Sequence, residues 1–344
     1  MKQTILVTGG AGYIGSHTVL ELIMHNYQVV VIDRVCSFEI NHPEITYFQC
    51  DIADTHAVKT ILSHYKIDAV IHCAASIEVA ESVINPAEYY ENNVIKTLLL
   101  LDTLREHALT KLVFSSSAAV YGIPQQLPIK ESHTCNPINP YGRTKYIIEK
   151  VLQDYHAAYK LDYIALRYFN AAGAYPEYNL GERHQPETHL IPRMLEAVLH
   201  NKPCTLFGTD YETPDGTCVR DYVHVRDIAR AHRLALEYLL AAPLNVSSAI
   251  INLGTAKGFS IQEIITTVEQ VTDKKLSIKR MPRRAGDPAY LIADNTLARS
   301  LLGWQALHSD ITSIISSAYE FYIREAPKKN TLLHLKGYYE EKNN

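Results

Sequence analysis

Thr8-Gly9-Gly10-Ala11-Gly12-Tyr13-Ile14-Gly15 follows the apolar run Ile5-Leu6-Val7 and opens a segment in which Ile14, Val19, Leu22 and Ile23 recur at helical spacing. The pattern predicts strand, glycine turn and helix in immediate succession. Such a turn lets backbone approach a pyrophosphate at a helix N-terminus, where unpaired N–H groups and the helix dipole favour an anion. The spacing satisfies both GxGxxG (Gly10, Gly12, Gly15) and GxxGxxG (Gly9, Gly12, Gly15), so the glycines alone do not choose between dinucleotide-binding families.

A second apolar run, Val29-Val30-Val31-Ile32, ends in Asp33, eighteen residues past Gly15. A carboxylate at that distance suits the 2′-hydroxyl of an adenosine ribose and repels a 2′-phosphate, which favours NAD over NADP. Arg34 pulls the other way, since an arginine can hold that phosphate, and an acid after a strand is also an ordinary helix cap. Further strands are expected at 46–50, 69–73, 112–115 and 163–169, separated by helical stretches. This alternation predicts an α/β fold with a doubly wound, Rossmann-like parallel sheet. Ligands bind such sheets beyond the carboxyl ends of the strands, where Asp51-Ile52, Ala74-Ala75-Ser76, Ser115-Ser116-Ser117 and Asn170 collect.

The 344 residues are 47% hydrophobic and 20% charged, with a net charge of −4, enough chain for one large or two moderate domains and no electrostatic footprint for nucleic acid. No apolar run approaches the roughly 20 residues of a membrane span. The N-terminus runs directly into a strand, so no secretory signal is expected. Six cysteines (Cys36, Cys50, Cys73, Cys135, Cys204 and Cys218) are scattered without CxxC pairing, which predicts reduced thiols and a cytoplasmic protein. No pair of histidines or carboxylates stands at metal-ligand spacing, so no metal is expected.

Tyr141 and Lys145 lie four residues apart after Asn139-Pro140, at the start of a long helical pattern, and so share one helix face. A phenol with an ordinary pKa of about 10 becomes a base at neutral pH only if its phenolate is stabilised, and lysine supplies part of that. An ordinary surface helix also yields Tyr-x-x-x-Lys, so the pair depends on its company. Ser115-Ser116-Ser117, at the end of the fifth strand, brings hydroxyls to the same sheet edge, where one of them could orient a proton during oxidation of an alcohol.

Glu81-Ser82, Tyr89-Tyr90-Glu91-Asn92-Asn93, Arg167-Tyr168-Phe169-Asn170, Phe207-Gly208-Thr209-Asp210-Tyr211, Gly216 to Val225 and Arg283-Arg284-Ala285-Gly286-Asp287 follow in order. With these motifs the chain resembles, over nearly its whole length, the extended short-chain dehydrogenase/reductases, the family of NAD-dependent epimerases and dehydratases, and within it the UDP-glucose 4-epimerases. The resemblance implies a catalytic group of Ser117, Tyr141 and Lys145. It implies a pyrophosphate site at Gly9, Gly12, Tyr13, Ile14 and Gly15, with Asp33 on the adenosine ribose and Asp51-Ile52 at the adenine. Cys73, Ala74, Ala75, Asn93, Ser115 and Tyr168 would complete the NAD site together with Tyr141 and Lys145.

For the sugar nucleotide the resemblance implies Asn170, His189 and Leu190 on the phosphate and sugar side, Thr205 and Phe207 at the uracil and Asp287 at the uridine ribose. Arg220 and Arg284 would grip the diphosphate, because a guanidinium fork matches phosphate oxygens. His189 could equally be a helix-start residue. The implied reaction is reversible inversion at C4 of UDP-glucose and UDP-galactose through a 4-keto sugar, with Tyr141 as acid and base. Two positions depart from the pattern or leave it open. Ile77 stands where some members carry a lysine on the pyrophosphate, and Leu291, near the C2 substituent, leaves N-acetylated hexoses open. Ala118-Ala119 after the hydroxyl argues against a 4,6-dehydratase, which needs an acidic pair there, whereas a noncatalytic NAD sensor would not be expected to keep all three of Ser117, Tyr141 and Lys145.

The expected organisation is interleaved: residues 1–171 and 222–258 in the NAD domain, 172–221 and 259–337 in a smaller α/β substrate-binding domain, and a tail at 338–344. Within the returning segment, 223–225 reads as strand, Asp227 as N-cap, 228–240 as helix and 250–253 as strand. Leu98 to Leu101 with Leu104, and Ile147, Ile148, Val151 and Leu152, give two helices more apolar than one sheet face requires. In the family such helices form a homodimer interface; simple packing on the sheet is the alternative.

Overall fold

The computed structural model describes residues 2–35, 40–184, 186–241, 248–283 and 287–340, the side chains of 326–340 apart. β1 (Thr4–Thr8), α1 (Tyr13–Met24), β2 (Gln28–Asp33), β3 (Ile45–Gln49), α2 (Thr55–His64) and β4 (Ala69–His72) come first. α3 (Val79–Ile84) and α4 (Pro86–Tyr90) lead through a π-helical turn at Glu91–Ile95 into α5 (Lys96–Glu106), β5 (Lys111–Ser117), α6 (Pro140–Tyr159) and β6 (Asp162–Tyr168). β7 (Asn170–Ala172), α7 (Leu190–Leu199), β8 (Cys204–Phe207), β9 (Val219–Arg220), β10 (Tyr222–His224) and α8 (Val225–Ala241) follow. The chain ends with β11 (Ala249–Leu253), β12 (Phe259–Ser260), α9 (Ile261–Thr272), β13 (Ile278–Met281), β14 (Tyr290–Leu291), α10 (Thr296–Leu302) and α11 (Ile311–Glu340), so the boundary expected at 337 falls inside a helix.

Seven strands form one parallel sheet in the order β11-β6-β5-β4-β1-β2-β3, the expected doubly wound, Rossmann-like architecture. Alternate residues serve its two faces. Ile5, Val7, Val29, Val31 and Ile71 pack with Val19 and Leu22 of α1 and with Ile228, Ala235 and Leu239 of α8. Leu6, Val30, Val70, Leu112 and Phe114 pack on the other face with Val58, Leu100, Leu104, Ile148 and Leu152. Burying each such aliphatic side chain contributes roughly 1.5–3 kcal/mol, and the two-residue period commits each strand to both layers.

Strand order reverses between β1 and β4, and the crevice at that switch point is where an open sheet of this kind takes its ligand. β5 runs on to Ser117, beyond the expected end at 115, because β6 pairs with it as far as Ser117 and Tyr168. A second core joins α7, α9 and α11 through Met194, Leu195, Ile264, Val268, Ile315 and Phe321. Small sheets β12-β9-β14 and β8-β13 belong to that half, and β7-β10 joins the two halves of the chain.

One expectation is corrected. Asp227 is not an N-cap, because α8 starts directly after β10, two residues earlier. Its carboxylate instead accepts from the His308 and Leu307 N–H groups at 2.8 and 3.0 Å and from the Ser309 hydroxyl at 2.6 Å, tying the approach to α11 against the sheet layer.

Candidate active site

The turn after β1 is built by backbone alone. Gly9 has φ 70°, and a Cβ at Gly15 would lie 2.0 Å from the Gly9 carbonyl oxygen, so α1 seats on the turn only with glycine there. Gly12 is the N-cap residue of α1 and no side chain caps the helix, which leaves its first N–H groups to an outside acceptor. Asp33, at the end of β2, accepts from the Ala11 N–H at 3.0 Å and steadies the turn.

A cavity of about 480 Å³ runs past this turn, lined by Gly9, Gly12, Tyr13, Ile14 and Gly15, by Asp33, Asp51 and Ile52, and by Cys73, Ala74, Ala75, Lys145 and Tyr168. Burial pushes the Asp51 carboxyl up, but the Lys96 ammonium at 2.7 Å and the Ala53 N–H at 2.9 Å together hold it below its ordinary pKa. An uncapped helix end for a pyrophosphate and carboxylates for ribose and base fit a dinucleotide. Asn93 and Ser115 stand behind this lining. Asn93 bonds both backbone polar atoms of Ser76, at 2.7 and 2.9 Å, and the Thr144 hydroxyl at 3.1 Å, from inside the π-helical turn. The Ser115 hydroxyl meets His232 Nε2 at 2.8 Å, and its carbonyl accepts from Lys145 Nζ at 2.8 Å.

Asn139 caps α6 by accepting from the Gly142 N–H at 2.8 Å, and Pro140 occupies the first turn. A Cβ at Gly142 would meet the Ala119 carbonyl oxygen at 2.4 Å, so this glycine lets α6 sit against the turn that follows Ser117. Ser117, Tyr141 and Lys145 are brought together there, all buried. Burial pushes the Tyr141 phenol up, a hydrogen bond with Ser117 pulls it down, and Glu78 adds a smaller upward push. The Lys145 ammonium is brought down to about 8 by burial, against the opposing pull of Cys73 and Glu149, and lies 5.9 Å from the centre of the Tyr141 ring.

A second cavity, about 400 Å³, shares Ile77 with the first and is lined by Asn170, His189, Leu190, Thr205, Phe207, Arg220 and Asp287. Arg220 forms an ion pair with Asp287 inside it, so two residues expected to touch different parts of a ligand also touch each other. Leu291 lies outside this lining and packs beside Val120, Tyr121 and Ile129. Arg284 lies outside the described residues.

His189 stands at the N-cap of α7 without capping it. Its Nδ1 instead meets Glu182 Oε1 at 2.9 Å and Glu187 Oε1 at 3.0 Å, while His184 Nδ1 meets the same Glu182 oxygen at 3.1 Å. One ligand atom from each of these four residues lies within 4.8 Å of the others, a grouping of histidines and carboxylates where linear spacing offered no metal-ligand pair. A doubled Glu-x-His (Glu182 with His184, Glu187 with His189) was the available signal; the fold-back of the loop that joins the two copies is not visible in linear spacing. Glu78, whose carboxylate accepts from the Thr188 hydroxyl, also lines the second cavity and went unnoticed in the sequence.

Residues 5–254 match the model of the NAD dependent epimerase/dehydratase family. The UDP-glucose 4-epimerase of Halalkalibacterium halodurans is 47% identical over 322 residues, covering 93% of this chain and 96% of that protein. The crystal structure of UDP-glucose 4-epimerase from Brucella ovis in complex with NAD superposes with a TM-score of 0.86 at 47% identity, over 92% of this chain and 97% of that one. The enzyme of Stenotrophomonas maltophila, solved with NAD and formylated UDP-arabinopyranose, reaches 0.90 at 36% identity, over 95% and 99%.

Proposed function

This chain belongs to the NAD dependent epimerase/dehydratase family, and from that premise we propose that it interconverts UDP-glucose and UDP-galactose by inverting C4 with bound NAD. The observation that carries the reading is Lys145: it lines the dinucleotide cavity from the same helix face that holds Tyr141 buried against Ser117. When bound, NAD supplies a hydride acceptor and donor at C4 and a positive ring that, with Lys145, favours the tyrosine phenolate. Tyr141 takes the proton of the 4-hydroxyl and returns it after the keto sugar has turned over. Ser117 orients that hydroxyl, and Lys145 is anchored by the Ser115 carbonyl.

Arg220, with Arg284, serves the diphosphate, Asn170, His189 and Leu190 the phosphate and sugar side, Thr205 and Phe207 the uracil, and Asp287 the uridine ribose. NAD binding falls to 1–171 and 222–258, and the sugar nucleotide to 172–221 and 259–337. Incubation with UDP-galactose and NAD, without external reductant, yields UDP-glucose; its absence overturns the reading. Running UDP-N-acetylgalactosamine in parallel tests the second reading, a 4-epimerase of N-acetylated UDP-hexoses.

The protein works as a homodimer through α5 and α6. Leu99 of α5 and Ile95 of the π-helical turn that precedes it are exposed, 40% and 54%, beside the partly open Leu98, Ile147 and Val151. A monomer mass in sedimentation equilibrium would refute this. Among the described residues no helix is long and apolar enough to cross a membrane, and Cys50, Cys73, Cys135, Cys204 and Cys218 are free thiols, which suits the reducing cytoplasm.

A further inference from the structure

The acid–histidine cluster on the loop before α7 lies where the two cavities meet, and the chemistry above makes no use of its carboxylates. His184 lines the dinucleotide cavity and His189 the sugar-nucleotide cavity. Both donate toward one carboxylate oxygen, Glu182 Oε1. The carboxylates are the inner members: the Glu182 and Glu187 side chains are 5% and 3% exposed, the imidazoles of His184 and His189 30% and 37%. We propose that Glu182 is a shared counter-ion that holds His184 and His189 as two cationic contacts, His184 for the pyrophosphate of the dinucleotide and His189 for the diphosphate of the sugar nucleotide. This rests on the reading that the two cavities take those ligands.

Charge accounting supports it. Two carboxylates buried this deeply require positive partners, and the imidazoles are the cations at bonding distance. The groups that face them from other elements are the phenols Tyr13 of α1 and Tyr322 of α11, each pushed up by burial and by these acids, and the imidazole of His17 on α1, which burial brings down to about 4 and so keeps neutral. Arg183 on the same loop is turned to Glu325 at 3.0 Å. Burial works against charging His189, yet Glu182 and Glu187 raise it to about 10; a hydrogen bond with Glu182 raises His184 as well. Of the other bases lining the dinucleotide cavity, Lys96 is bound to Asp51, Lys145 to the Ser115 carbonyl, and Arg34 follows Asp33 on the strand assigned to the adenosine ribose. Among the described residues His184 is the base left for the pyrophosphate, beside an Ile77 that offers no charge.

Two measurements that need no turnover test this: the rate of NAD loss from diluted holoenzyme, followed by cofactor absorbance in the filtrate, and UDP binding by calorimetry. His184→Gln should speed NAD loss about tenfold and leave UDP affinity within about twofold; His189→Gln should do the reverse. Glu182→Gln should impair both. Adding His184→Lys to Glu182→Gln, a cation that needs no counter-ion, should restore NAD retention but not UDP affinity. The proposal is overturned if Glu182→Gln moves neither ligand, or if either histidine variant leaves its own ligand untouched. It is equally overturned if a chelator reproduces the Glu182→Gln losses in wild-type protein that carries stoichiometric zinc, since the cluster would then be a cation site. Should Glu182→Gln not fold, the two histidine variants decide by their opposite selectivity.

Discussion

Arg167 Nε and Nη2 close on both carboxylate oxygens of Glu149, at 2.8 and 2.5 Å, between the sheet and the helix that carries Tyr141 and Lys145. The side chains are 3% and 0% exposed. The Ser116 hydroxyl donates to the same carboxylate at 2.6 Å, and Arg167 Nη1 donates at 2.8 Å to the Tyr121 hydroxyl, which donates to Asn252 at 2.7 Å. The ion pair and its hydrogen bonds thus tie β5, β6, β11 and α6 together one turn beyond Lys145.

Breaking this pair from one side leaves a buried charge without its partner. Glu149→Gln should lower unfolding free energy by about 3–5 kcal/mol and reduce turnover at the temperatures where the protein still folds. The double variant Glu149→Gln, Arg167→Met should cost less than the sum of the single changes. Additive losses in urea titrations would show that the two do not act as a unit.

Tyr141→Phe removes the group that moves the 4-hydroxyl proton and leaves the dinucleotide cavity lined as before. Turnover of UDP-galactose should fall by about 10²–10⁴-fold while bound NAD is retained. Undiminished turnover would take Tyr141 out of the reaction.

With the Lys145 amine brought down to about 8, it is charged below that pH and neutral above it. The active form pairs a Tyr141 phenolate with a charged Lys145, so kcat/KM should fall on the acid side as the phenol is protonated and on the alkaline side as the amine loses its proton. Lys145→Arg, whose charge does not titrate in this range, should lack that alkaline limb even though its rate is lower.

Arg220 pairs with Asp287 across the second cavity, and its fork still has donors to give a diphosphate. Arg220→Ala should raise KM for UDP-galactose by about tenfold or more, with UDP affinity falling in step. Asp287→Asn should cost less, because the arginine is then released to the phosphates. Equal KM values for wild type and Arg220→Ala would exclude the arginine from the ligand's path.

The chain spelled out its local chemistry in advance. Strand, glycine turn and helix from Thr4 to Met24, the acid after β2 and the Asn139-Pro140 start of α6 are set by short-range periodicity, capping and backbone freedom, and these are readable in one dimension. Asp227 shows where that reading ends, since an acid near a helix start looks like a cap until residues 307–309 arrive to occupy it. Only the tertiary structure decided the pairings of Arg167 with Glu149, Arg220 with Asp287, and Glu182 with both His184 and His189. Each joins residues whose nearness comes from the return of the chain through the sheet or the fold-back of a loop, and whose charges are held together because burial makes a lone charge too costly to keep.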